Sequence, residues 1–194
     1  ADLLNPEAVQ RFIQLTHEKY YRRLKRHFGR TIQAFFTDEP MIMGRRSREG
    51  LRPWTGGFLD YYLMSGGAET DLPALWVEAG THTISIRRRY EQTVRKRLAE
   101  TYYQPLSAWC ADHGVALTGH PAESDDIGVQ RYFHIPGQDQ VLRWVAPENE
   151  KGLEGRHSTL AKCASDAARH AGRRRNAVEC FGACSRPGSG WNLT

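Results

Sequence analysis

The 194 residues carry 40% hydrophobic and 25% charged side chains and a formal charge of +5, the profile of a soluble globular chain long enough for one domain with a core. That balance excludes intrinsic disorder as the default, and no run of about 18 apolar residues offers a membrane span. The start Ala1-Asp2-Leu3-Leu4-Asn5 has neither the basic nor the apolar region of a signal peptide, and with no initiator Met and a turn-rich end both termini read as cuts, which leaves cytoplasm, periplasm and secretion open.

Asn5-Pro6-Glu7 is a helix start: a capping side chain, proline in the first turn and an acid beside the helix N-terminus. Val9, Phe12, Ile13, Thr16, Tyr20 and Leu24 then recur at steps of three and four, predicting one amphipathic helix that ends at Gly29. Thr31 to Thr37 reads as a short buried strand, β-branched and aromatic, that delivers Asp38-Glu39-Pro40 at its C-terminal end. Residues 41–80, with Gly-Gly pairs, prolines, Trp54, Tyr61, Tyr62 and Trp76, form a long excursion with short helices. A second amphipathic helix runs from about Ile86 through Tyr90, Val94 and Leu98 to Trp109 and Cys110, with Pro105 kinking or restarting it and Gly114 capping it. Val115 to Thr118 is the next strand, and it presents Gly119-His120. After an irregular stretch containing Pro136-Gly137-Gln138-Asp139, a helix with Leu160, Cys163, Ala164 and Ala167 leads through Gly172 to strand Ala177-Val178, which delivers Glu179.

Three helix-to-strand passages, each ending in acids or histidine, predict an α/β fold with parallel strands. Polar clusters at C-terminal strand ends are the arrangement of a (β/α)8 TIM-type barrel. An open doubly wound sheet would need a Gly-rich phosphate turn, and Gly188-Ser189-Gly190 lacks its third glycine. The expectation is therefore that residues 1–194 are part of one catalytic barrel domain, incomplete, with the excursion at about 41–80 inserted. About 250 residues is the usual requirement for a closed barrel, so the remainder of the barrel or a second copy would be needed as a partner.

The basic clusters Arg22-Arg23-Leu24-Lys25-Arg26, Arg87-Arg88-Arg89 and Arg173-Arg174-Arg175 fall in or just after helices and lack interleaved aromatics. They read as solvated helix faces, and no nucleic-acid or membrane partner is expected. Cys110, Cys163, Cys180 and Cys184 have neither CxxC nor metal-ligand spacing and read as reduced thiols.

Two glutamates delivered by different strands are what glycosidic cleavage needs: one protonates the leaving oxygen while the other activates water or attacks carbon. Glu39 suits the acid, because Asp38 or a second carboxylate across the pocket disfavours its ionisation. Glu179 suits the base or nucleophile.

Phe36-Thr37-Asp38-Glu39-Pro40, Leu117-Thr118-Gly119-His120 and Glu179-Cys180-Phe181-Gly182-Ala183, in that order, make the chain resemble the catalytic barrel of bacterial α-L-rhamnosidases. The resemblance extends through Tyr103-Gln104-Pro105-Leu106, Pro136-Gly137-Gln138-Asp139 and Ser165-Asp166-Ala167-Ala168. It implies hydrolysis of a rhamnoside or related glycoside with inversion, with Glu39 as general acid and Glu179 as general base. The Asp-Glu-Pro turn is also similar to the Asn-Glu-Pro turn of retaining barrel glycosidases, which leaves the stereochemistry open.

Asp38 and His120 are expected to bind substrate hydroxyls and Trp54 to stack on a sugar face. No cofactor is assigned with certainty, and Ca2+ is a candidate. Related rhamnosidases use Ca2+, for which Asp125-Asp126 and Asp139 offer oxygen ligands, although no loop has calcium-motif spacing and solvated acids are the plainer reading. Two other functions are weighed. A catalytically silent carbohydrate-binding or scaffold segment would keep Trp54 and need neither glutamate. A metal-dependent barrel hydrolase would need a His-x-His pair, which the sequence lacks.

Overall fold

A computed structural model of the chain describes residues 1–44, 47–123, 126–140 and 160–180. Asp125, Cys184, the Phe181-Gly182-Ala183 part of the third motif and Gly188-Ser189-Gly190 lie outside the described residues. The chain forms two compact units, one of Ala1–Phe28 and Pro40–Trp109, the other of Gly29–Glu39 and Cys110–Thr194.

The first unit is helical. Asn5 caps α1 (Pro6–Leu15), its side-chain oxygen accepting from the amides of Glu7 and Ala8, while Pro6 occupies a position whose amide would be unpaired anyway. The single long helix expected here is broken at Thr16, where α1 gives way to α2 (His17–Leu24) and then to a 3-10 turn, Lys25–His27. The Thr16 hydroxyl donates to the Phe12 carbonyl at 2.7 Å, the side-chain competition for backbone groups that bends helices at threonine.

The excursion contains α3 (Phe58–Met64) and two 3-10 segments, Glu69–Leu75 and Gly80–His82. It is tied to α4 (Thr83–Leu98) by Arg87, whose Nε donates to the Ala74 carbonyl at 2.8 Å, and by Tyr90, whose hydroxyl donates to the Pro53 carbonyl. Arg87 also lies 3.0 Å from Glu78 and Arg89 lies 3.3 Å from Asp71, so two arginines of that basic cluster serve the fold of this unit. α4 passes through a π turn, Ala99–Tyr103, into α5 (Gln104–Asp112). The wider turn accommodates Pro105: the Gln104 amide reaches back to the Ala99 carbonyl, and the proline follows in the first turn of α5, where its missing amide costs little.

The second unit carries β1 (Ala34–Thr37), β2 (Ala116–Gly119), β3 (Ile135–Gln140) and β4 (Ala177–Cys180), all parallel and adjacent in sequence order. An order that never reverses differs from a doubly wound sheet, which turns back at its switch point. β1, β2 and β4 lie where the apolar runs place them, although β1 begins at Ala34 rather than Thr31. β3 corrects the sequence reading, in which Pro136-Gly137 marked an irregular stretch. Pro136 pairs with Gly119 of β2, and pairing with β4 starts only at Gly137, so the missing amide interrupts no bond on the β4 side. Gly137 is needed for close approach, since a Cβ there would stand 2.5 Å from the Gly119 carbonyl oxygen.

Two short helices of this unit secure β3. Asp126 caps α6 (Ile127–Gln130) by accepting from the Val129 amide, and the buried Gln130 carboxamide closes on both backbone groups of Gly137, donating to its carbonyl at 2.5 Å and accepting from its amide at 3.1 Å. From α7 (Leu160–His170), the Ala164 amide donates to Gln138 Oε1 at 2.9 Å. Gly29, Gly114 and Gly172, expected at helix ends, all have positive φ. Among the described residues no helix is long and apolar enough to cross a membrane.

Candidate active site

Strand register decides which side chains share a face. Thr37, Leu117, Gln138 and Val178 fall on one face; Leu117 and Gln138 are fully buried there, with Gln138 bonded to α7. Phe36, Thr118, Ile135, Asp139 and Glu179 fall on the other, with Asp139 directly beside Glu179. Phe36 is exposed on this second face.

The C-terminal ends of β1, β2 and β4 bring three groups together. His120 follows β2, is almost fully buried, and has its Nδ1 3.6 Å from Asp38 Oδ1 and 3.8 Å from Glu179 Oε2. The two carboxylates themselves are exposed, with side chains 61% and 51% accessible. The His120 amide donates to the Thr37 carbonyl at 2.9 Å, and the Phe36 ring meets the imidazole edge-on at 5.0 Å. Gly119 permits this approach. Its φ of +132° is one that side chains rarely adopt, and a Cβ would run into the Thr37 carbonyl oxygen and stand 2.7 Å from the Thr37 nitrogen.

Glu39 follows Asp38 directly and is the one non-glycine among the described residues with positive φ, at 40°. A left-handed conformation costs an ordinary residue about 1–2 kcal/mol, and Pro40 behind it fixes the exit of the chain. Strain of this kind at a partly exposed acid is a common mark of working residues. Chemically, exposed carboxylates above a covered imidazole are groups that can hold, accept and relay protons.

Of the residues expected from sequence, Asp38, His120 and Glu179 are therefore neighbours, and Glu39 is next in the chain to Asp38. Trp54 belongs to the helical unit, where its indole meets Phe58 edge-on at 5.1 Å. Asp126 spends a side-chain oxygen on capping α6, and among the described residues no group of three His, Cys, Asp or Glu could hold a metal ion. Cys110 and Cys163 are buried and in no disulfide, and burial pushes the Cys110 thiol up to about 12. Sequence reasoning missed the part played by Phe36, Gly119 and Gly137. A glycine between a strand and a histidine is the one signal the sequence carries, and it is unspecific because many glycines end strands for no such reason.

No family model and no curated protein matches the sequence. Among solved structures, a rhamnosidase from Novosphingobium sp. PP1Y is similar over 92% of this chain, with a TM-score of 0.68 and 20% identity. The chain spans 17% of the length of that protein. Helices combined with a parallel sheet in this order give the chain a distantly rhamnosidase-like α/β fold.

Proposed function

We propose that this chain is the acid- and base-bearing part of a (β/α)8 glycoside hydrolase that releases rhamnose or a related sugar with inversion, Glu39 acting as general acid and Glu179 as general base. The observation that carries the reading is the meeting of Asp38, His120 and Glu179 at the C-terminal ends of three parallel strands in sequential order, with strained Glu39 adjoining. Barrel enzymes collect their chemistry on that edge from several strands, and a glycosidase needs two carboxyl groups there in different roles. The likeness to a rhamnosidase supports the choice of sugar.

In this reading Glu39 protonates the glycosidic oxygen as the bond breaks, and Glu179 takes a proton from the water that attacks the opposite face of the sugar. Asp38 binds the substrate, and the rest of the barrel completes the site. The test is hydrolysis of an aryl α-L-rhamnoside by the protein that carries this chain, with NMR of the first-formed anomer. Glu39→Gln and Glu179→Gln should each lower kcat by about 100-fold or more, and the first product should be inverted. Retained configuration would make Glu179 a nucleophile. Binding of rhamnose with turnover absent, or unaffected by either substitution, would favour a silent carbohydrate-binding segment.

A further inference from the structure

The imidazole of His120 is almost fully buried, yet it lies under two carboxylates that face solvent. Its ring is held on several sides. The main chain is bonded to Thr37, Gly119 admits the close approach, and the Phe36 ring stands edge-on at 5.0 Å with an interplanar angle of 86°. Its Nδ1 is shielded from solvent and has no partner at hydrogen-bonding distance among the described residues. A buried ring nitrogen left unpaired is unfavourable and calls for an explanation. The Asp38 and Glu179 oxygens lie 3.6 and 3.8 Å from it.

We propose that His120 is a positioning residue whose Nδ1 proton serves Asp38 and Glu179 in turn, orienting the Glu179 carboxylate toward the attacking water. The proposal rests on Glu179 being the general base. A contact of 3.6–3.8 Å is too long for a hydrogen bond, which wants about 2.7–3.2 Å, so one carboxylate must close by somewhat under about 1 Å. Exposed carboxylates move that far by rotation about their own side-chain bonds, whereas the ring is buried and packed edge-on against Phe36. Catalytic hydrogen bonds are often long without substrate and tighten in the complex. A sugar seated over the carboxylates would exclude water from them and strengthen each such bond. One donor between two acceptors then sets their geometry: when Nδ1 bonds Glu179, the second oxygen of that carboxylate is directed outward, and Asp38 is released to a substrate hydroxyl.

The decisive comparison uses two amides. The Nδ2 of asparagine falls near the position of a histidine Nδ1, while the Nε2 of glutamine falls near that of Nε2. In the protein that carries this chain, assayed on an aryl α-L-rhamnoside, His120→Asn should keep kcat within about 10-fold. His120→Gln and His120→Ala should lose about 100-fold in kcat with little change in KM, the penalty of a misplaced base. Equal losses for Asn and Gln, or a change confined to KM, would overturn the assignment.

A second measurement needs no turnover. Imidazole 15N NMR of the wild-type protein should find the proton of neutral His120 on Nδ1, and the combined Asp38→Asn, Glu179→Gln variant should shift the population toward Nε2–H. A proton already on Nε2 in the wild type, or a tautomer indifferent to both substitutions, would refute the contact even if His120 variants do not fold. Should the protein hydrolyse no rhamnoside while the tautomer responds as expected, the functional reading fails and the positioning contact stands.

Discussion

Replacing Gly119 by alanine tests whether the end of β2 is built as described. The alanine Cβ would stand 2.7 and 2.8 Å from the Thr37 nitrogen and carbonyl carbon and closer still to the carbonyl oxygen. Ordinary contact begins near 3.4 Å, so β1 must retreat by at least about 0.7 Å, through backbone that has no rotamer to absorb the change. Overpacking of that kind costs about 1–3 kcal/mol, and the φ of +132° adds about 1–3 kcal/mol of backbone strain. A total of about 2–6 kcal/mol corresponds to a fall in Tm of roughly 4–24 °C for a chain of this size. Gly172→Ala is the control in the same unit: its φ is +62° and nothing lies within 4 Å of the added methyl, so about 1 kcal/mol is expected. Thermal and urea melts of both variants decide the matter. Equal, small losses would show that β1 and β2 do not pack this closely and would remove the geometric basis for the His120 cluster.

Glu39→Gly should be more stable than Glu39→Ala by about 1 kcal/mol, because both lose the carboxylate and only alanine keeps the left-handed strain; urea melts measure the difference. Gln130→Ala should cost about 2–3 kcal/mol by leaving the Gly137 amide and carbonyl unpaired, with faster hydrogen exchange at Gly137, whereas exchange unchanged there would contradict the bridging role. Burial lowers the His17 imidazole from its ordinary 6.5 to about 4, partly opposed by Glu18, so its contribution is whole above pH 6.5 and is lost as pH falls from 6.5 toward 4. The loss has an upper bound of about 3 kcal/mol before solvent screening, and His17→Phe should flatten that limb of a stability-against-pH curve. Burial and Arg173 likewise lower His134, whose Nδ1 accepts the Leu117 amide at 2.9 Å, so acid should also lower the protection factor of the Leu117 amide.

The alternation of amphipathic helices with short apolar runs was legible, and with it the parallel sheet, because hydrophobic periodicity is local information. Helix ends at Gly29, Gly114 and Gly172 were legible for the same reason. β3 was not. Its six residues contain one apolar side chain besides proline, Ile135, and what holds them is supplied from elsewhere: Gln130 and Ala164 bond its backbone and its Gln138, and Gly119 accepts its close approach. The break at Thr16 was equally hidden, since the apolar spacing continues across it and only a hydroxyl bonded to the Phe12 carbonyl marks the change. At the site, acid and histidine positions could be read from strand ends, but the burial of His120 beneath exposed carboxylates could not. Burial there depends on how tightly β1 and β2 approach, a quantity set by glycines rather than by the functional residues.

That dependence joins stability and chemistry at one atom. The Thr37 carbonyl oxygen accepts the His120 amide and is also what a side chain at position 119 would strike. Tight pairing of β1 with β2 is thus the condition for placing the imidazole under Asp38, and Gly137 repeats the condition between β2 and β3 on the way toward Glu179. A change that spreads these strands would pull His120 from its carboxylates without altering any of the three groups. Activity should then fall in Gly119→Ala by more than its residual folded fraction explains, with the loss in kcat rather than KM. Loss matched to the unfolded fraction alone would separate the two roles and leave Gly119 a purely structural residue.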